Sequence, residues 1–207
     1  MRVIAGTAKS IRLVAPPGRG TRPTQDRVKE ALFSALGPRV PDAHVLDLFA
    51  GSGALGIEAL SRGAQHATFV ESWRPALGAL RENLRRTGLA ERATVLAMPV
   101  ERALRHLVSM GRAFDLVFAD PPYRRRWGEA LLSSPLLGEL ARSGCLLVLE
   151  HEAGWSSEAR PLIRRAAYGD TEISFFLLKG WQGPEGAQAP EGPQVERVAE
   201  AGQGEPS

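Results

Sequence analysis

From His44 onward the chain alternates short apolar runs with amphipathic segments: HVLDLF, ALGIEALSRG, HATFVE, PALGALRENLRRTG, ATVLAM, VERALRHLV and FDLVFAD. The apolar runs have strand length and little polar alternation, as strands buried on both faces do, while the intervening segments repeat their apolar residues at helical spacing. This alternation predicts βαβ units and hence an α/β fold with a mostly parallel sheet covered by helices on both faces. After GCLLVLEHE, the stretch RPLIRRAAYGDTEISFFLLK reads as two strands joined by a Tyr168-Gly169-Asp170 turn, a C-terminal antiparallel hairpin on that sheet.

Ahead of the alternating region, RVIA (2–5) and IRLV (11–14) are strand-like and flank a Gly6–Ser10 turn, which predicts a small N-terminal β-hairpin. A breaker-rich loop, APPGRGTRP, leads to a helix through DRVKEALFSAL. Thr24 is its expected cap, Val28, Ala31, Leu32, Ala35 and Leu36 its apolar face, and Gly37-Pro38 its end. Three parts follow: a basic hairpin plus helix (1–40), an α/β domain (41–180) and a tail (181–207). The tail is rich in Gly, Pro, Glu, Gln and Ala, has little to bury, and is expected to be disordered.

Charge separates the ends. Residues 1–40 carry eight basic side chains against Asp26 and Glu30, whereas the tail carries five glutamates against Arg197. The basic end suits a polyanion. With 43% hydrophobic and 24% charged residues, and no apolar run near the roughly 20 residues that span a bilayer, a soluble, cytoplasmic, monomeric protein without a membrane partner is expected. The single cysteine, Cys145, excludes an intrachain disulfide and a zinc site built on paired cysteines, and no metal is expected.

The first strand runs into VLDLFAGSGALGIEAL, where Gly51, Gly53 and Gly56 have the G-x-G-x-x-G spacing that brings backbone close to a nucleotide. Two acids qualify it. Glu71 ends the next strand, where an acid accepts ribose hydroxyls. Asp47 stands beside the glycine turn, where it would repel a pyrophosphate but attract a cationic sulfonium or ammonium group. A nicotinamide dehydrogenase rests on the glycines alone. The stretch Asp47-Leu48-Phe49-Ala50-Gly51-Ser52-Gly53 resembles the first motif of class I S-adenosylmethionine-dependent methyltransferases. That resemblance implies a Rossmann-like seven-stranded fold, S-adenosylmethionine as cofactor, and a cofactor set of Asp47, Phe49, Ala50, Gly51, Ser52, Gly53, Glu71 and Ser72. The acid that such enzymes usually carry near adenine is replaced here by Met98-Pro99, with Glu101 further on.

The fourth run ends in FADPPYRRRW. Asp120-Pro121-Pro122-Tyr123 resembles the D/N-P-P-Y/F/W motif of methyltransferases acting on exocyclic amines of nucleobases or on side-chain amides. An aryl amine lone pair is delocalised into its ring, so attack on a methyl sulfonium requires rehybridisation and loss of a proton. Two fixed acceptors on its N–H groups, the Asp120 carboxylate and the Pro121 carbonyl, favour that geometry, and Tyr123 can stack on the base. Cys145, in the apolar SGCLLVLE, reads as a core residue, which argues against the thiol-dependent methylation of a pyrimidine carbon.

The motif leaves adenine N6, cytosine N4, guanine N2 and glutamine amides open. MRVIAGTAKSIRL and Thr21-Arg22-Pro23-Thr24-Gln25-Asp26-Arg27-Val28-Lys29-Glu30-Ala31-Leu32-Phe33 resemble the RsmD-like family of small-subunit ribosomal RNA guanine-N2 methyltransferases, from Met1 to about Lys179. The resemblance implies methyl transfer to guanine N2 in 16S ribosomal RNA or a small-subunit assembly intermediate. Arg2, Lys9, Arg12, Arg22, Arg27, Pro122, Arg124, Arg125 and Arg126 are then the expected RNA contacts. The alternatives are an adenine-N6 methyltransferase of DNA or RNA and a non-catalytic RNA-binding module.

Overall fold

The computed structural model describes residues 1–17, 23–122, 127–168 and 171–179. Among them one seven-stranded sheet forms from β1 (His44–Asp47), β2 (His66–Glu71), β3 (Ala93–Ala97), β4 (Phe114–Ala119), β5 (Ala141–Glu152), β6 (Leu162–Tyr168) and β7 (Thr171–Leu177). Their order is β3-β2-β1-β4-β5-β7-β6. The first five are parallel, and β7 runs antiparallel between β5 and β6, as the closing hairpin requires. The α-helices among the described residues are α1 (Pro23–Leu36), α2 (Ala54–Ser61), α3 (Arg74–Thr87), α4 (Val100–Ser109), α5 (Trp127–Leu132) and α6 (Pro135–Glu139).

Alternate residues of each central strand feed two cores. Val45, Phe69, Phe118 and Val148 pack with Leu32, Phe33 and Leu36 of α1, Ile57 and Leu60 of α2, and Leu80 and Leu84 of α3. Leu46, Val70, Val117 and Leu147 pack on the other side with Val100, Leu104 and Leu107 of α4 and with Leu131, Leu132 and Leu137 of α5 and α6. The helix after β3 therefore crosses to the second face, and β4 returns beside β1. The strand order reverses between the parallel neighbours β1 and β4, which opens a crevice at their carboxyl ends. Cys145 is fully buried, and its surroundings push the thiol up to about 12, consistent with a packing role.

Two local expectations change. Helix α1 begins at Pro23, so Thr24 lies inside the first turn instead of capping it; proline fits there because its missing N–H has no intrahelical partner in any case. The runs 2–5 and 11–14 do meet antiparallel, through an Arg2–Arg12 bridge with Val3 donating to Ile11, Ser10 to Val3 and Leu13 to Met1, but as one bridge and not as a ladder of two strands. The short α5 and α6 are not evident from the sequence, where Ser133-Ser134-Pro135 interrupts their periodicity. The Gly169-Asp170 turn and the 181–207 tail lie outside the described residues.

This N-terminal arm, residues 1–14, gains its order from the domain it lies against. Glu58 of α2, fully buried, accepts the N–H groups of Ile4 and Ala5 at 2.8 and 3.0 Å and pairs with Lys29 of α1 at 3.0 Å and Arg62 at 2.8 Å. Ser61, one turn on, accepts from Ala8 N–H and donates to the Ala5 carbonyl. Burial pulls Lys29 below its ordinary range while Glu58 opposes the shift, so each charge is tolerated because of the other. Glu58→Ala removes the counter-charge of a buried lysine and the acceptor of two arm amides. It is expected to cost about 3–5 kcal/mol in urea unfolding, more than Glu58→Gln, which keeps an acceptor.

Candidate active site

In the parallel register Asp47 stands level with Phe69 of β2 on one side and Phe118 of β4 on the other. Glu71 and Asp120 follow those phenylalanines by two residues, which keeps them on the same side of the pleat. Three acids from adjacent strands thus meet at one edge of the crevice.

The chain leaves β1 through a tight turn. Leu48 donates to the Phe118 carbonyl and Ala50 to that of Val70, which ties the turn to both neighbouring strands. Gly53 has φ +81, and a Cβ on it would fall 2.4 Å from Leu80 Cδ1; a Cβ on Gly56 would fall 2.3 Å from the Phe69 ring. Glycine at these positions lets α2 approach the sheet closely enough for Gly56 N–H to donate to Asp47 Oδ2 at 3.1 Å. Glu71 is engaged by backbone as well. Its Oε2 accepts Gly51 N–H at 2.9 Å, and its Oε1 accepts Ser72 and Trp73 N–H at 2.7 and 2.8 Å. Oε1 is thereby saturated and Oε2 keeps one acceptor position, so a ribose diol binding both oxygens displaces at least one of these N–H groups.

Asp47 is 3% exposed, and its carboxyl is pushed up to about 7. Burial is the main cause, the Gly56 N–H opposes it, and the charges of Asp120 and Glu71 add to it. A buried acid whose ionisation is opposed by two neighbouring acids favours a cationic ligand. This environment fits the sulfonium and ammonium groups of S-adenosylmethionine, and Asp47 and Glu71 with the 49–53 turn are the residues that would hold it.

At the end of β4, Asp120 is exposed, Pro121 buried and Pro122 exposed. Tyr123, Arg124, Arg125 and Arg126 lie outside the described residues, as does Arg22. The chain is described again at Trp127, whose ring meets Phe49 of the turn after β1 edge-on at 5.1 Å, and at Gly128, where a Cβ would fall 2.7 Å from Trp155. Buried Pro121, and half-buried Trp127 packed on Phe49, are described residues on either side of positions 123–126. Arg2, Lys9, Arg12 and Arg27 are exposed; Arg2 pairs with Asp26 at 3.6 Å. Met98 is half-buried against the second core, while Pro99 is exposed and precedes α4.

Sequence reasoning misses Trp127, Asn83 and Trp73. Trp127 is visible as an aromatic after the arginines, and 45%-exposed Trp73 as an aromatic two residues after Glu71. Asn83 sits in an ordinary amphipathic helix, and no pattern singles it out.

The order of the sheet, the glycine turn after β1 and the acids at the ends of β1, β2 and β4 define a Rossmann-like class I methyltransferase fold. The chain belongs to the family described as Conserved hypothetical protein 95, whose model matches residues 1–177. It is 38% identical over 184 residues to the putative rRNA methyltransferase YlbH of Bacillus subtilis, covering 87% of this chain and 100% of that protein. It is 45% identical over 125 residues to ribosomal RNA small subunit methyltransferase D of Escherichia coli, covering 60% and 61%. A solved structure of a hypothetical protein from Thermus thermophilus superposes with a TM-score of 0.74 at 37% identity, covering 86% of this chain and 99% of that one.

The raised pKa of Asp47 has a defined sign. Its native value lies above the unfolded one, so its contribution to stability is present at low pH and is lost as pH rises from about 4 toward about 7. A cation bound beside it reverses the preference and releases a proton. Asp47→Asn is therefore expected to raise the melting temperature of the ligand-free protein at pH 8. It should also weaken S-adenosylmethionine binding on the order of tenfold to a hundredfold. In the unsubstituted chain affinity climbs with pH to a plateau above about 7, and in the variant it is flat; calorimetry at several pH values reads both.

Proposed function

We propose that this chain transfers a methyl group from S-adenosylmethionine to the exocyclic N2 amine of a guanine in 16S ribosomal RNA, within the RNA or an assembling small subunit. The observation that carries the reading is the placement of Asp120 at the mouth of β4, level with Glu71 across the buried Asp47, in a chain whose relatives are named as ribosomal RNA methyltransferases.

When bound, S-adenosylmethionine supplies an electrophilic methyl group on a sulfonium centre. Asp47 holds the cationic end of the cofactor at the floor of the crevice and Glu71 its ribose, while the 49–53 turn brings backbone against it. The Asp120 carboxylate and the Pro121 carbonyl accept the two N–H groups of the amine, which turns the nitrogen lone pair out of conjugation and toward the cofactor. Asp120 takes the proton that leaves as the new N–C bond forms and the methyl carbon–sulfur bond breaks, with S-adenosylhomocysteine as the leaving thioether. Proline at 121 narrows the backbone around its own carbonyl, so this acceptor needs little reorganisation. Tyr123 stacks on the base, with Pro122 beside it. Arg124, Arg125 and Arg126, with Arg2, Lys9, Arg12, Arg22 and Arg27, hold phosphates and set orientation without reading sequence. The resemblance of residues 1–13 and 21–33 to the RsmD-like guanine-N2 family favours guanine in ribosomal RNA over the adenine-N6 alternative.

Asp120→Ala is expected to lower transfer by about a hundredfold or more while leaving cofactor affinity within a few-fold. Labelled methyl transfer to naked 16S RNA and to small subunits, followed by nucleoside analysis, should yield N2-methylguanosine; N6-methyladenosine would move the reading to the alternative. Lys9→Ala and Arg12→Ala should each weaken RNA binding and flatten its salt dependence by about one charge.

A further inference from the structure

Asn83 lies in α3, fully buried, and its amide is taken up by the backbone of two distant segments. Its Oδ1 accepts Val14 N–H at 2.7 Å, and its Nδ2 donates to the Val14 carbonyl at 2.9 Å and to the Ser52 carbonyl at 2.9 Å. The orientation of the amide is determined by this set, since a flipped amide would put N–H against N–H at Val14 and carbonyl against carbonyl at Ser52. Val14 ends the N-terminal arm, and Ser52 is part of the cofactor turn. One buried side chain thus fastens the basic arm to the turn on which the cofactor rests.

From this junction we infer that Asn83 is a positioning residue that couples the N-terminal arm to the cofactor turn, so that filling the turn tightens the arm and holding the arm shapes the turn. The inference rests on the methyltransferase reading and extends it from two separate sites to two linked ones. The physical basis is the cost of a buried polar group without a partner. If the turn shifts and the Ser52 carbonyl moves away, Asn83 either loses a hydrogen bond in the interior or moves with it, and Val14 follows. The other arm anchors, Glu58 and Ser61, lie on α2, which starts directly after the same turn. The arm therefore contacts both helices that flank the cofactor site, but only Asn83 hydrogen-bonds turn and arm at once among the described residues. By linkage, the same coupling acts on RNA held by the arm and on cofactor held by the turn.

The test needs no RNA. Hydrogen exchange at the amides of Ile4, Ala8 and Val14 is measured in the full chain with and without saturating S-adenosylhomocysteine. The ligand is expected to slow arm exchange about fivefold or more in the unsubstituted protein. In Asn83→Ala the ligand still binds and still protects the 50–53 turn, but the slowing at the arm disappears. A general loss of stability would speed arm exchange equally with and without ligand, so the ligand-dependent ratio separates coupling from mere packing. Val14→Pro, which removes the N–H that Oδ1 accepts, leaves Asn83 in place and is expected to reduce the ratio at Ile4 and Ala8 on its own. No slowing in the unsubstituted chain, or slowing that survives both substitutions, would overturn the inference. A chain that shows the coupling but methylates no small-subunit RNA would overturn the substrate reading alone.

Discussion

Phe69 occupies the space that a side chain on Gly56 would need, and the rest of the site depends on that close contact. Because α2 can lie so near the sheet, the Gly56 N–H reaches the Asp47 carboxylate, and the glycine turn is drawn over the ends of β1 and β2. The same helix carries Glu58 and Ser61, on which the N-terminal arm is built. One short helix therefore has the glycine turn at its start and the arm along its flank. The two ion pairs on Glu58 and the amide of Asn83 make this junction polar as well as packed, which holds the arm in one register on the domain.

The electrostatics of the crevice follow from topology. Parallel strands with a reversal of order between β1 and β4 bring three carboxyl ends together, and three acids at those ends cannot all ionise at little cost. Burial and the charges of its neighbours hold Asp47 up to about 7, which stores a preference for a cation. The same arrangement suits the two chemistries proposed for adjacent strand ends. In the proposed reaction the buried acid would face a permanent positive charge and the exposed Asp120 would accept from an incoming amine. Environment, more than residue type, separates the roles of the two aspartates.

Much of this architecture is legible in the order of residues alone. The alternation from His44 to Asp120 specifies the parallel sheet, β2 coincides with HATFVE, and the acids at 47, 71 and 120 stand at strand ends because turn and strand signals mark those ends clearly. The arm is less legible. Its runs RVIA and IRLV have strand composition, yet they form only a single bridge, because many of their hydrogen bonds go to Glu58, Ser61 and Asn83 in place of each other. Composition reports the tendency to extend but does not say which partner will take the backbone groups.

By itself, the sequence determined the fold class, the glycine turn, the acids that face the crevice and the Asp-Pro-Pro motif, since each is written within a few consecutive residues and depends on local periodicity or turn chemistry. Only the tertiary structure decided that Glu58 and Asn83 join the arm to α2, α3 and the glycine turn and that Trp127 rests on Phe49. Those contacts bridge segments far apart in the chain, and a glutamate or asparagine on an amphipathic helix carries no local mark of what it will meet. The state of Asp47 belongs to the same group: its type is in the sequence, but its raised pKa comes from burial and from two acids that other strands bring beside it.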